Sequence, residues 1–200
     1  EELKTYPMAV AAAGSILSYA IQTQFSELPH LRPPSLMIKA KTMTLDAVTL
    51  RNLEIVRTIG DSSKDTLFAV VNKTSTAGGS RRLKDWFLRP LHDLKRINER
   101  HDSVQELFDN TLSRREIRDI LKGFQDVERL VSRLGHGSIS PRDLDSLRFS
   151  LNTVKELKQF LTEEPLKSKL MKKLVKSIDV HKQVADKLAE AIVEEPPLVL

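Results

Sequence analysis

Between Ile117 and Leu134 the chain sets an apolar residue on nearly every turn of a 3.6-residue period: Ile117, Ile120, Leu121, Phe124, Val127, Leu130, Val131 and Leu134. Such a stripe lines one side of a helix and must be buried against a neighbour. Ser113-Arg-Arg-Glu116 ahead of it reads as a capping box, in which the hydroxyl takes a backbone N–H and the carboxylate reaches back. Gly135-His136-Gly137 stops it. Ser140-Pro141 then gives an N-cap followed by proline at the first helical position. The second helix carries Leu144, Leu147, Leu151, Val154, Leu157 and Leu161. Pro165 separates it from a last long helix, Leu166 to about Val193, ended by Pro196. Long stripes joined by short loops require antiparallel helices packed on one another.

Upstream the pieces are shorter. Pro7 to Gln24 is uncharged and Ala-rich, which predicts a helix with Pro7 in its first turn and burial on most faces. Pro29 to Pro34 forms a linker. Met43, Leu45 and Ala47 alternate, which places a small β element near residues 36–47. Thr49 opens a short helix bearing Leu50, Leu53, Ile55 and Val56, and Gly60-Asp61-Ser62-Ser63 is a turn. From Gly79 the pattern is helical: Leu83, Trp86 and Phe87 share a face and Pro90 ends the run. Leu94, Ile97, Val104, Leu107 and Phe108 supply the next helix. The fold class is mainly α, a multi-helix, bundle-like domain.

Composition excludes several functions. The 200 residues include no Cys, which removes disulfides, thiolate metal sites and Cys nucleophiles. No apolar run reaches the ~18 residues that span a bilayer, so neither a membrane partner nor a signal peptide is expected, and the location reads as cytoplasmic. The tail Pro196-Pro197-Leu198-Val199-Leu200 suggests a piece of a longer protein. The net charge of +5 permits a polyanionic partner without demanding one.

No catalytic constellation is visible. Gly78-Gly79-Ser80-Arg81 precedes a helix, but no Lys-Ser/Thr follows, so the glycines read as room for a tight helix start. The five histidines form no HxxxH or HExxH pair. His101, on the apolar side of its helix, reads as a core or boundary residue and His136 as a loop residue. Asp126 and Glu128 differ by two on a helix and face different ways, which is poor geometry for paired acid–base work. Phe25-Ser26-Glu27 matches an aromatic wedge that reads DNA, but a tripeptide carries little information. No catalytic, cofactor-binding or metal-binding residue is therefore expected. One binding surface stands out: Lys169, Lys172, Lys173 and Lys176 fall on one helical face, suited to a phosphate backbone. A solvated helix face is the plainer reading.

Several spaced motifs in one order resemble the MutS family of DNA mismatch repair proteins. They are Met43-Thr-Leu-Asp46-Ala47, Thr49-Leu-Arg51-Asn52-Leu53-Glu54-Ile55, and Gly79-Ser80-Arg81-x-Leu83-x-x-Trp86-x-x-x-Pro90-Leu91. Ile97-x-x-Arg100, Asp126-Val-Glu128-Arg129-Leu130 and Pro141-Arg142-Asp143-Leu144 follow in sequence. The resemblance implies a core (lever) domain over residues 6–200, with the end of a connector at 1–5 and a clamp beginning after Leu200. It implies a parent that binds mismatched double-stranded DNA, carries ATP and Mg in an ATPase domain outside this chain, and pairs as a homodimer or with a homologous subunit. In a bacterium the parent would associate with the nucleoid. Within the chain it implies a polar structural role for Asn52 and Glu54. Gly79, Leu83, Trp86 and Pro90 become helix-start, core-packing and helix-stop residues. Arg100, Glu128 and Arg129 become candidates for an ion-pair network. The competing expectation is a free-standing basic helical module that binds nucleic acid directly.

Overall fold

The computed structural model describes residues 5–24, 42–193 and 196, which form ten helices. The chain divides into two units, Glu1–Ala40 and Lys41–Leu200. The sequence features at residues 1–4 and 25–41, including Phe25-Ser26-Glu27, the proline linker and the first half of the expected β element, lie outside the described residues.

In the first unit, α1 (Pro7–Gln24) forms where the sequence places it. Its expected burial is not found: Met8 is 83% exposed and Tyr19 69% exposed. The physical reason is that α1 is the single described element of its unit, and one helix cannot cover its own faces.

The second unit opens with an isolated antiparallel bridge, Thr42 to Leu91, beside which the Met43 N–H donates to the Pro90 carbonyl at 2.7 Å. The β element goes no further among the described residues, because Asp46 already caps α2 (Ala47–Asn52) through the Thr49 N–H at 2.6 Å. Thr49 therefore lies inside α2 and does not open it. Ile55 and Val56 lie beyond it, past Glu54, whose backbone turns to φ 48°. Thr66, 1% exposed, caps α3 (Leu67–Val71) through the Ala69 N–H. Phe68 meets Phe87 edge-on, with ring centres 6.3 Å apart, joining α3 to α4 (Ala77–Leu88).

The remaining helices are α5 (Leu94–Asp109), α6 (Thr111–Leu121), α7 (Val127–Gly135), α8 (Pro141–Glu163), α9 (Lys169–Ser177) and α10 (Lys182–Ala191). Helix α8 is the axis: α6, α7, α9 and α10 all pack on it, and α5 packs on α6 and α9. Leu130, Leu147, Leu151, Leu161 and Val175 form its buried seam. Ser140 and Asp143 start α8 with a true capping box, Pro141 in the first turn.

Two expected long helices are each broken in two. The stripe from Ile117 to Leu134 is split between α6 and α7, which both pack on α8; Leu130 is buried there, whereas Val131 and Leu134 are left about half exposed. At the break, Gly123 lies against α8 so closely that a Cβ would stand 3.1 Å from Thr153 Oγ1. Asp126 then caps α7 through the Arg129 N–H. The helix expected over 166–193 breaks between Ile178 and His181, where Lys158 Nζ donates to the Ile178 carbonyl at 2.7 Å and His181 takes φ 45°. The capping box expected at Ser113 is displaced: Asn110 is the N-cap of α6, and Ser113, buried inside the helix, donates to Glu164 instead.

Candidate functional site

The segment that starts α4 is fastened by short polar side chains. Thr76 Oγ1 accepts the Gly79 N–H at 3.0 Å, and a Cβ on Gly79 would stand 2.9 Å from that oxygen. Asn72 Nδ2 donates to Ser80 Oγ at 2.9 Å. One turn into the helix, Arg81 reaches across to the start of α7. It makes two hydrogen bonds to Asp126, at 2.9 and 2.7 Å, and an ion pair with Glu128 at 2.6 Å. The Arg81 fork holds the Asp126 carboxyl below the usual carboxylate range, and Asp126 in turn raises the pKa of Arg81.

The other residues singled out in the sequence take separate places. Asn52 is exposed at the end of α2. Glu54 is half-buried; its side chain accepts the Ile59 N–H at 2.8 Å and its carbonyl the Leu67 N–H at 3.3 Å, so it closes the loop into α3. Leu83 is half-buried. Trp86, expected in the core, is 38% exposed and lies under the Arg100 guanidinium, 3.8 Å from ring centre to Cζ. Pro90 follows the end of α4, and its carbonyl accepts the Met43 N–H. The structure does not bring Arg100, Glu128 and Arg129 together: Glu128 pairs with Arg81, and Arg129 is an exposed residue whose N–H completes the Asp126 cap. His101, expected in the core or at its boundary, is exposed on α5. Lys169, Lys172, Lys173 and Lys176 are all exposed on the outer face of α9, while Val175 points inward.

Three fasteners escaped the sequence reading. Glu106 on α5 accepts the N–H groups of both Lys167 and Ser168, the latter at 2.9 Å, while Ser103 and Ser168 share a 2.7 Å hydroxyl bond. Ser113 and Glu164 tie α6 to the end of α8. Ser150, fully buried, accepts the Gln125 N–H at 3.1 Å and so holds the α6–α7 turn on α8. Each joins a carboxylate or hydroxyl to a backbone N–H or a second polar side chain far away in sequence, which no local spacing encodes. An open groove of about 1140 Å³ runs between α5 and α9, lined by Asn98, Asp102, Glu106, Lys167 and their neighbours.

What this geometry defines is a helical packing domain whose polar side chains bind helix ends to helix faces. The family model for MutS domain III matches residues 48–200, and the chain belongs to that family. Curated relatives include the DNA mismatch repair proteins MutS of Methanosarcina acetivorans, 37% identical over 95% of this chain and 21% of that protein, and of Nostoc punctiforme, 38% identical over 98% and 22%. The MutS protein of Pelotomaculum thermopropionicum is 38% identical over 98% of this chain and 23% of its own length. The chain thus spans about a fifth of the length of the curated relatives it matches.

Proposed function

We propose that the chain is the core, or lever, module of a MutS-type DNA mismatch repair protein, and that it carries no chemistry of its own. In this reading it couples the nucleotide state of an ATPase domain to the grip of a clamp on mismatched double-stranded DNA. ATP and Mg belong to that ATPase domain, not to this chain. The connector, clamp and ATPase domains of one polypeptide are its partners, with a second copy or a homologous subunit beyond them. The parent works in the cytoplasm.

The match to MutS domain III over residues 48–200 carries this reading. The joints support it. Stiff helices transmit displacement, and packed interfaces between them switch between discrete arrangements without deforming continuously. In this reading the Glu106 and Ser103 contacts to the start of α9 act as one such joint. In the full-length parent, a Ser103→Ala, Glu106→Ala double variant is expected to keep nucleotide-free DNA binding and basal ATP hydrolysis. It is also expected to slow ATP-driven release from a mismatch at least severalfold. Unchanged release would reject the coupling role.

A second reading rests on the α9 lysines, which are exposed and have no acidic residue on their own helix. If they grip DNA directly, Lys172→Glu with Lys176→Glu lowers DNA affinity and flattens its salt dependence by about two phosphate contacts. Unaltered affinity disposes of that reading.

A further inference from the structure

The edge where α4 meets α5 gathers positive charge. Arg82 and Trp86 stand one turn apart on α4, and Arg96 and Arg100 one turn apart on α5, so each pair shares a helix face. Arg100 lays its guanidinium over the Trp86 ring, which joins the two pairs into one patch. Burial lowers the pKa of Arg100, and the like charges of Arg82 and Arg96 lower it further. Arg82 has Asp85 at 3.8 Å, a carboxylate that also pairs with Arg89. Among the described residues no carboxylate stands within ion-pair distance of Arg96 or Arg100. Like charges held together raise the free energy of the folded state, and an arriving anion relieves it.

Arginine forks suit both protein carboxylates and nucleic-acid phosphates. The surroundings favour the carboxylate. Trp86 presents exposed ring surface, and Val104, one turn beyond Arg100, is 66% exposed. Exposed tryptophan and arginine beside aliphatic surface is the composition of protein–protein hot spots. Asp85 pairs with Arg82 and Arg89 beside the patch, so the cationic surface is short and suits one or two carboxylates better than a continuous phosphate backbone. The α9 lysine face has the opposite makeup, cations with no aromatic and no acid.

We propose that this patch docks an acidic protein segment, whose carboxylates settle among Arg82, Arg96 and Arg100 while an apolar neighbour covers Trp86 and Val104. The proposal stands on these residues and does not rest on the coupling role. Trp86 is the chain's only tryptophan, so its fluorescence reads the site directly. The probe is a short synthetic peptide alternating Glu with Leu, with its Gln-for-Glu counterpart as control, titrated into the 200-residue chain. The expected result is a saturable change in emission with the Glu peptide, with Kd on the order of 1 mM or below. The Gln peptide should give none. Arg100→Lys keeps the charge but loses the planar fork, and Arg96→Gln removes a charge; each is expected to weaken binding about tenfold. Arg96→Gln is also expected to raise the Tm of the free chain, since a repelling charge leaves. Absence of a saturable change up to millimolar Glu peptide, or equal response to the two peptides, overturns the proposal. So does a fall in Tm for both Arg82→Gln and Arg96→Gln, which would make the cluster a structural device. A DNA duplex that binds more tightly than the peptide, through Arg96 and Arg100 and with steep salt dependence, assigns the patch to nucleic acid and overturns it as well.

Discussion

Arg81 grips Asp126 through both arms of its guanidinium, at 2.9 and 2.7 Å, across a separation of 45 residues. The same carboxylate accepts the Arg129 N–H at the start of α7. One acid thus caps a helix and anchors the start of α4 to it. The arginine is about half exposed, so solvent screens the pair and its geometry matters more than its charge.

Acidification should uncover that pair. Asp126 has a depressed pKa in the fold, chiefly through Arg81. Its contribution is therefore complete above the unfolded carboxylate value of about 3.9 and is lost as pH falls through the lower folded value. Asp126→Asn retains a good N-cap but not the charged pair. It is expected to melt a few degrees below the parent chain at pH 7, with the gap closing only below the ordinary carboxylate range. Asp126→Ala, which also loses the cap, melts lower still. Thermal unfolding followed by circular dichroism from pH 2 to pH 7 measures both. A gap that is flat across that range would mean the pair contributes nothing.

The two neighbouring glycines of α4 should respond with opposite signs. A Cβ on Gly78 meets only the tip of Arg81, at 4.0 Å, whereas one on Gly79 would press on the capping hydroxyl of Thr76 at 2.9 Å. Gly78→Ala is expected to stabilise the chain by roughly 0.5 kcal/mol through helix propensity. Gly79→Ala forces Thr76 aside and forfeits a cap of ~1 kcal/mol, more than the propensity returns. Urea melts of the two variants test the order, and equal stabilisation by both would refute the cap as the reason for Gly79.

The same region shows what a sequence can reveal. Helix content, the Ser140-Pro141 start of α8 and the stop at Pro90 follow from local rules, because the groups that decide them are neighbours in the chain. The breaks at Gly123 and at His181 do not, because tertiary contacts with α8 decide them: Thr153 against Gly123, Ser150 on the Gln125 N–H, and Lys158 on the Ile178 carbonyl. An unbroken apolar stripe could not reveal a break that both halves answer by returning to one helix. Trp86 was legible as a signature but not as a surface, since its cover of one guanidinium depends on Arg100 from the next helix. The Arg81–Asp126 pair joins residues 45 apart in the chain, so no local spacing encodes it.

Ser150 is the most buried of the joints, fully enclosed, donating to the Ser146 carbonyl at 2.8 Å and accepting the Gln125 N–H. Ser150→Ala leaves that N–H without its partner and is expected to cost about 1–2 kcal/mol. At this chain length that corresponds to a fall of roughly 2–8 °C in Tm. Ser150→Val adds volume where α6, α7 and α8 converge and should cost more. Hydrogen exchange gives the sharper reading: the Gln125 amide is expected to lose protection in Ser150→Ala while amides in the middle of α8 keep theirs.

The junction of α9 and α10 offers the opposite experiment, a gain. His181 sits at the start of α10 with φ 45° and ψ 47°, and its side chain makes no cap. A β-carbon in that left-handed conformation carries on the order of 1 kcal/mol of strain, which asparagine tolerates best among residues other than glycine. Glycine would remove the strain but also widen the unfolded ensemble, returning part of the gain. His181→Asn is therefore expected to raise Tm by a degree or more, His181→Gly by less, and His181→Val to lower it, since a β-branched residue suits that region worst. If the junction is a hinge that the parent flexes, the stabilised Asn variant should also slow ATP-driven DNA release while leaving nucleotide-free binding alone. A Val variant as stable as the parent chain would show that His181 does not hold the left-handed turn in solution.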